Sequence, residues 1–239
     1  MKTFSLTDVG RVRESNQDYV YTYESPVGNL PNLFIVADGM GGHAAGDFAS
    51  KYTVEQIVAY IEKAPMTSPV DLIRGAVTKA NASLMAQAKS DTSLSGMGTT
   101  VVIATIIGDC MYVANVGDSR LYLLREELVQ ITRDHSLVQE MVRMGEMDAS
   151  EAKSHPDKNI ITRAVGAFDE LEIDFFEEYI HPGDVILMCT DGLSNMVDDI
   201  SIRQIIETGR DVVEKVQHLV DAANRGGGKD NITALIIEI

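Results

Sequence analysis

Five aspartates stand at the ends of apolar runs: Asp18 before Tyr19–Tyr23, Asp38 after Leu33–Ala37, Asp118 after Met111–Val116 and Gly117, Asp191 after Val185–Thr190, and Asp230 before Ile232–Ile237. Glycine neighbours three of them, most densely in "FIVADGMGGH", residues 34–43. One Asp-Gly pair is an ordinary turn. Five acids at strand ends are a different matter, because strand ends of one sandwich can share an edge. Carboxylates gathered there repel one another unless cations neutralise them. Hard, all-oxygen donors suit Mg²⁺ or Mn²⁺, and no His/Cys cluster has zinc spacing. Glycine lets its own carbonyl approach an ion and lets the loop turn tightly. Two such ions about 3.5–4 Å apart acidify a bridging water, which can then attack a phosphorus centre with no protein nucleophile. Arg13, five residues before Asp18 in "RVRESNQD", offers a guanidinium that either grips a phosphoryl group through two parallel hydrogen bonds or lies in an exposed turn.

The elements that must position these groups follow from pattern. Strands are expected near 2–8, 18–24 and 32–38, then helices over about 44–63 and 69–89. The second helix opens on Ser68 as N-cap with Pro69 at its first position, and Leu72, Ile73, Ala76, Val77, Ala80 and Leu84 keep helical spacing. Strands near 98–108, 110–117 and 119–125 are punctuated by Gly108-Asp109 and Gly117-Asp118, which reads as two antiparallel hairpins. Residues 132–165 are polar and read as an excursion over the surface. Strands near 171–180 and 184–190, helices over 199–208 and 211–224, and a last strand at 231–238 complete the chain. Strands joined by short turns with helix pairs inserted between them imply antiparallel sheets packed face to face with helices outside, not a doubly wound parallel sheet.

Bulk properties narrow the classes. The chain has 239 residues, enough for one sizeable core, and a formal charge of −16, which argues against nucleic acid or anionic membrane as partner. The longest apolar stretch, Val101–Ile107, is far short of the roughly 20 residues of a membrane span. The polar N-terminus does not read as a signal peptide, so a cytoplasmic protein is expected. Cys110 and Cys189 sit in apolar runs and read as free buried thiols. A thiolate phosphatase would want an arginine six residues on, where Val116 and Asn195 stand.

Taken in order, "TDVGRVRESNQD", "FIVADGMGGHAAGDFAS", "GMGTTVV", "VANVGDSRLYLL", "RDHSLVQEMVRMGE", "GDVILMCTDGLSNMV" and "GGKDNITALII" resemble the metal-dependent serine/threonine protein phosphatases of the PPM, or type 2C, family in their compact bacterial form. The resemblance runs from about residue 5 to residue 238. It implies an α+β fold, a four-layer α-β-β-α sandwich whose two central antiparallel sheets are flanked by helix pairs. It also implies one phosphatase domain over 1–239, with residues 132–165 as a flap beside the cleft. The implied reaction is Mn²⁺- or Mg²⁺-dependent hydrolysis of phosphoserine and phosphothreonine in proteins by direct attack of a metal-bridging water. By the same resemblance Asp38 bridges two metals with the Gly39 carbonyl beside it. Asp191 and Asp230 complete the first ion's protein ligands, and Asp18 acts near the second through water. Asp118 with Asp191 forms a third-metal site, Arg13 grips the phosphate, and Asn231 shapes the turn after the last ligand.

The sequence departs from the family in places. Animal-type members place a histidine directly after the Asp-Gly as general acid, where this chain has Met40. His43 lies close by in sequence; the leaving-group proton is assigned either to it or to metal-bound water. Gln17 replaces a glutamate, which points to more water around the second metal. His135 and His155 fall in the flap, read as a mobile contact surface or a plain surface helix. The implied partners are phosphorylated proteins and a cognate serine/threonine kinase, with the phosphatase acting as a cytosolic monomer. The alternatives are a binding module of this fold without turnover and a phosphatase devoted to one regulatory phosphoprotein. The presence of Asp38, Asp191 and Asp230 counts against the first.

Overall fold

The computed structural model describes residues 1–42, 45–152 and 155–239. In chain order its strands and helices are β1 (Lys2–Asp8), β2 (Asp18–Tyr23), β3 (Leu33–Met40), α1 (Ala45–Ile61), α2 (Pro69–Ser90), β4 (Gly98–Thr99), β5 (Val101–Ile107), β6 (Cys110–Val116), β7 (Arg120–Leu124) and β8 (Leu128–Gln130). They continue as α3 (Leu137–Arg143), α4 (Ala149–Ala152), β9 (Asp174–Tyr179), β10 (Val185–Cys189), α5 (Asp191–Ser194), α6 (Asp199–Thr208), α7 (Val212–Arg225) and β11 (Ile232–Glu238). One sheet runs β1-β11-β10-β7-β8 and the other β2-β3-β5-β6-β9, with β4 paired to β3 and every pairing antiparallel.

Three apolar interiors separate four layers. Leu72, Ile73, Ala76, Val77, Ala80 and Leu84 of α2 meet Leu33, Ile35 and Ile103 of one sheet. Val36, Val102, Met188 and Leu235 fill the space between the sheets. Val216, Leu219, Val220 and Ala223 of α7 cover Leu187, Ala234 and Ile236 of the other sheet. The alternation of β3 follows: Leu33, Ile35 and Ala37 face the helices while Phe34 and Val36 face the second sheet. The expected sandwich is therefore the observed one. Helix starts are capped by side chains. Ser68 accepts from the Asp71 amide, Asp198 from that of Ser201 (2.7 Å) and Asp211 from that of Glu214 (2.9 Å), each cap worth about 1 kcal/mol.

Two local expectations are corrected. Gly108-Asp109 joins β5 to β6 as a hairpin, but Gly117-Asp118 does not join a hairpin, because β6 and β7 lie in different sheets. Gly117 has φ +104°, and a Cβ on it would press into the Thr100 side chain at 2.6 Å. Only glycine turns the chain there from one sheet to the other. The strand carrying Asp38 also does not end at that residue. It continues through Met40 because Gly39 and Met40 pair with Thr99 and Gly98.

Candidate active site

The sheet-to-sheet crossing sets the geometry. It brings Asp118 to the same sandwich edge at which β3 delivers Asp38, the end of β10 delivers Asp191 and the approach to β11 delivers Asp230. These four residues line one cavity of about 250 Å³ with Arg13, Gln17, Gly39, Met40, Thr100, Asn159, Ile161 and Asn231. Asp18 pairs in register with Asp38 across β2 and β3 and lies behind the cavity, 5% exposed. Of the sequence-predicted site residues, Arg13, Asp18, Asp38, Gly39, Asp118, Asp191 and Asp230 thus come together; His43 lies outside the described residues.

Neighbours the sequence did not single out hold several of these residues in place, some by the carboxylate and some by the backbone. Asp18 Oδ2 accepts from Thr190 Oγ1 at 2.8 Å and from Thr233 Oγ1 at 2.7 Å, so two hydroxyls of one sheet clasp an acid of the other. The Asp38 amide donates to Thr100 Oγ1 (3.0 Å), while its carbonyl accepts from the Thr100 amide (2.9 Å) and Thr99 Oγ1 (2.8 Å). Thr100 Oγ1 also lies 2.7 Å from Ser119 Oγ, beside Asp118. Asn195 Nδ2 donates to Asp191 Oδ2 at 2.9 Å, and Lys158 of the 132–165 excursion donates to Asn195 Oδ1 at 3.0 Å. A threonine in a β run reads as a strand former, and its use as a donor depends on how the two sheets stack. The "TD" of Thr190-Asp191 was the available signal.

The Arg13 loop is fastened by Asn231. Its Nδ2 donates to the Val9 and Ser15 carbonyls at 3.0 and 2.9 Å, and its Oδ1 accepts from the Gln17 amide at 2.8 Å. The turn expected of Asn231 is therefore made through the neighbouring loop. Arg13 Nη2 reaches Asp230 Oδ2 at 2.8 Å from a half-exposed position. Glycines allow the close approaches: a Cβ on Gly192 would strike the Asn231 carbonyl, and one on Gly39 the Gly46 carbonyl.

The cavity is electrostatically unfavourable as a bare set of acids. Burial, then Asp18, Asp191, Asp118 and Asp230, push the Asp38 carboxyl well above the usual range. Burial raises Asp18 to about 7, against the hydroxyls of Thr233 and Thr190 and with the charges of Asp191 and Asp230. Asp118 rises to about 8 through burial, Asp191 and Asp134, and Asp191 to about 6 through burial and Asp230. Arg13 is the sole cation among the described residues that line the cavity. Asp18 Oδ1 and Asp191 Oδ1 are buried with no hydrogen-bond partner, which in a folded protein calls for an unseen donor or ion. The donor set is all oxygen, so the residues fit a hard divalent cation. Among the described residues no three His, Cys, Asp or Glu side chains are arranged to hold an ion by themselves. Water and the Gly39 carbonyl would have to complete the shell, as suits Mg²⁺ or Mn²⁺.

Known proteins share this architecture. The protein phosphatase 2C family profile matches residues 10–231. Serine/threonine phosphatase stp of Listeria monocytogenes serovar 1/2a is 40% identical over 237 residues, covering 97% of this chain and 93% of the relative. The crystal structure of the Mycobacterium tuberculosis phosphatase PstP/Ppp superposes with a TM-score of 0.89 at 35% identity, over 100% of this chain and 99% of that one. The catalytic domain of PstP in complex with two manganese ions superposes at 0.85 and 34% identity, over 98% and 96% of the two chains. Because sequence and fold agree along nearly its whole length, the chain belongs to the protein phosphatase 2C family.

Proposed function

We propose that residues 1–239 form one phosphatase domain that hydrolyses phosphoserine and phosphothreonine in proteins at the carboxylate cavity, with Mn²⁺ or Mg²⁺ as cofactor. The single observation that carries the reading is the convergence of Asp38, Asp118, Asp191 and Asp230 on one cavity that has Arg13 at its rim. Asp38, Asp191, Asp230 and the Gly39 carbonyl would hold the core ions, with Asp18 behind them and Asp118 with Asp191 at a third site. Bound there, divalent ions acidify water and neutralise phosphoryl charge. The chain's own residues supply orientation. Asp18 and Asp38 are locked side by side by strand pairing, Thr190 and Thr233 hold the Asp18 carboxylate, and Thr99 and Thr100 hold the Asp38 backbone. Arg13 stands on the loop that Asn231 clamps, with its guanidinium on Asp230 at the cavity rim, and from there it would turn to grip the non-bridging phosphoryl oxygens. No histidine, lysine or tyrosine lines the cavity among the described residues, so the leaving oxygen takes its proton from water or from His43.

No described helix is long and apolar enough to cross a membrane. We place the reaction in the cytosol, on phosphoproteins made by a serine/threonine kinase, in keeping with the relatives named as serine/threonine phosphatases.

The decisive assay is phosphothreonine-peptide hydrolysis with Mn²⁺ and after EDTA. Turnover is expected with the ion and none with the chelator; equal rates in both would end the reading. Arg13→Ala is expected to raise KM for the peptide by about 10-fold, the loss of one charge-assisted hydrogen bond of about 1.5 kcal/mol, with kcat changed much less. An unaltered KM would remove Arg13 from phosphate binding.

A further inference from the structure

His135, expected on a contact surface, is instead 3% exposed and sits at the junction of three segments. Its backbone amide donates to the Gly117 carbonyl at 3.0 Å, and the Gly117 amide donates to its Nδ1 at 3.1 Å. The same ring therefore returns the bond its backbone makes, and it does so on the peptide that swings the chain from one sheet to the other just before Asp118. Because Nδ1 accepts, the ring proton of the neutral side chain is on Nε2. Nε2 lies 3.2 Å from Asp174 Oδ2 at the start of β9, and Arg163 Nη1 donates to the other oxygen of that carboxylate at 3.0 Å. The His135 carbonyl accepts from the Thr162 amide at 2.8 Å, next to Ile161, which lines the cavity. Both feet of the 132–165 excursion are thus fastened at one residue.

We propose that His135 is a positioning residue: through Nδ1 it fixes the Gly117–Asp118 turn so that the Asp118 carboxylate faces Asp191, and through its carbonyl it seats the excursion beside the cavity. Gly117 cannot supply this order alone. Its positive φ is reached freely by glycine, and its amide has no other acceptor among the described residues. The inference rests on the reading of Asp118 as a cation ligand. In that reading His135 acts on the ligand through the preceding peptide, and losing it is expected to weaken the ion by about 10-fold, the low end of what partners bonded directly to a ligand cost.

The test is Mn²⁺ titration of the full chain without substrate, by calorimetry and by EPR of free Mn²⁺. Asp118→Asn identifies the binding event that needs that carboxylate. Asparagine at 135 offers Oδ1 where Nδ1 was, glutamine offers an N–H where Nε2 was, and leucine offers neither. His135→Leu and His135→Gln are expected to weaken the Asp118-dependent event by about 10-fold or more, with His135→Asn within about threefold of the parent. Tighter events should stay in place in all three. An unchanged Asp118-dependent event in His135→Leu, or an asparagine variant no better than leucine, overturns the proposal while leaving Asp118 a ligand. A parent protein in which Asp118→Asn removes no event ends the Asp118 reading and this inference with it. Should the variants not fold, ¹⁵N NMR of the parent decides: a protonated Nε2 and bare Nδ1 at His135 are expected, and a proton on Nδ1 overturns the proposal.

Discussion

Asp38→Asn is expected to lower kcat on a phosphothreonine peptide by about 1000-fold at saturating Mn²⁺ while leaving the protein folded. The reason is position. Asp38 is the acid on which the charges of Asp18, Asp191, Asp118 and Asp230 all act, so it stands at the centre of the cluster. Its backbone is held by Thr99, Thr100 and the β2 pairing, none of which uses the carboxylate. Asparagine keeps the shape and those bonds but removes a negative charge from the place where two cations would be shared. Electrophilic stabilisation by such ions is worth several kcal/mol, and about 4 kcal/mol corresponds to about three powers of ten. Removing one of five mutually repelling acids should leave the melting temperature in EDTA unchanged or higher. That outcome separates lost chemistry from lost structure. Activity within about 10-fold of the parent would show that the cavity does not work through Asp38.

How much of this could be read from the chain alone depended on the range of the interaction involved. Ser68-Pro69 followed by a 3.6-residue stripe is a local statement, and α2 starts and ends within a residue of it. The apolar runs ending in aspartate are local too, which is why the acids were recognisable and their strands nearly so. Gly108-Asp109 and Gly117-Asp118 are the same dipeptide after the same kind of run, yet one closes a hairpin and the other crosses between sheets. What separates them is distant in sequence: Thr100 packed against Gly117 and the His135 ring bonded to its amide. The three-residue β8 and four-residue α5 are too short to show a period. Thr190 and Thr233 followed the rule that β-branched residues form strands, and only stacked sheets reveal that their hydroxyls meet on Asp18. Partnerships between sheets, more than the elements themselves, escaped the sequence reading.

The same cluster should make the stability of the metal-stripped protein fall as pH rises from 5 to 8. Burial and neighbouring carboxylates push Asp191, Asp18 and Asp118 up to about 6, 7 and 8 in the folded protein, against about 3.9 for a free aspartate. Groups raised in this way hold protons in the folded state that the unfolded chain has released. Their contribution is complete below about pH 4 and is lost as pH climbs through 6 to 8. Asp184 has the opposite sign. Its hydrogen bond from Arg125 lowers its carboxyl, so its contribution is present above the unfolded value and lost only in acid. Above pH 5 that contribution is in place; His135, lowered chiefly by burial, adds stability as pH rises towards 6.5, so the slope in this window is the loss from three cavity acids less the gain from one histidine. Protonating one acid relieves its neighbours and all four lining acids are only half-buried, so the individual shifts do not add. A combined loss of about 3 kcal/mol corresponds to roughly 10 °C for a chain of this size. Mn²⁺ should reverse the slope, because the ion binds the deprotonated acids and stabilises the folded state more as protons leave. Calorimetric melting in EDTA and in excess Mn²⁺ at four pH values between 5 and 8 measures both slopes, and Asp38→Asn should flatten the first. A melting temperature that rises with pH in EDTA, or profiles that coincide with and without Mn²⁺, would mean that these carboxylates are not held together by cations.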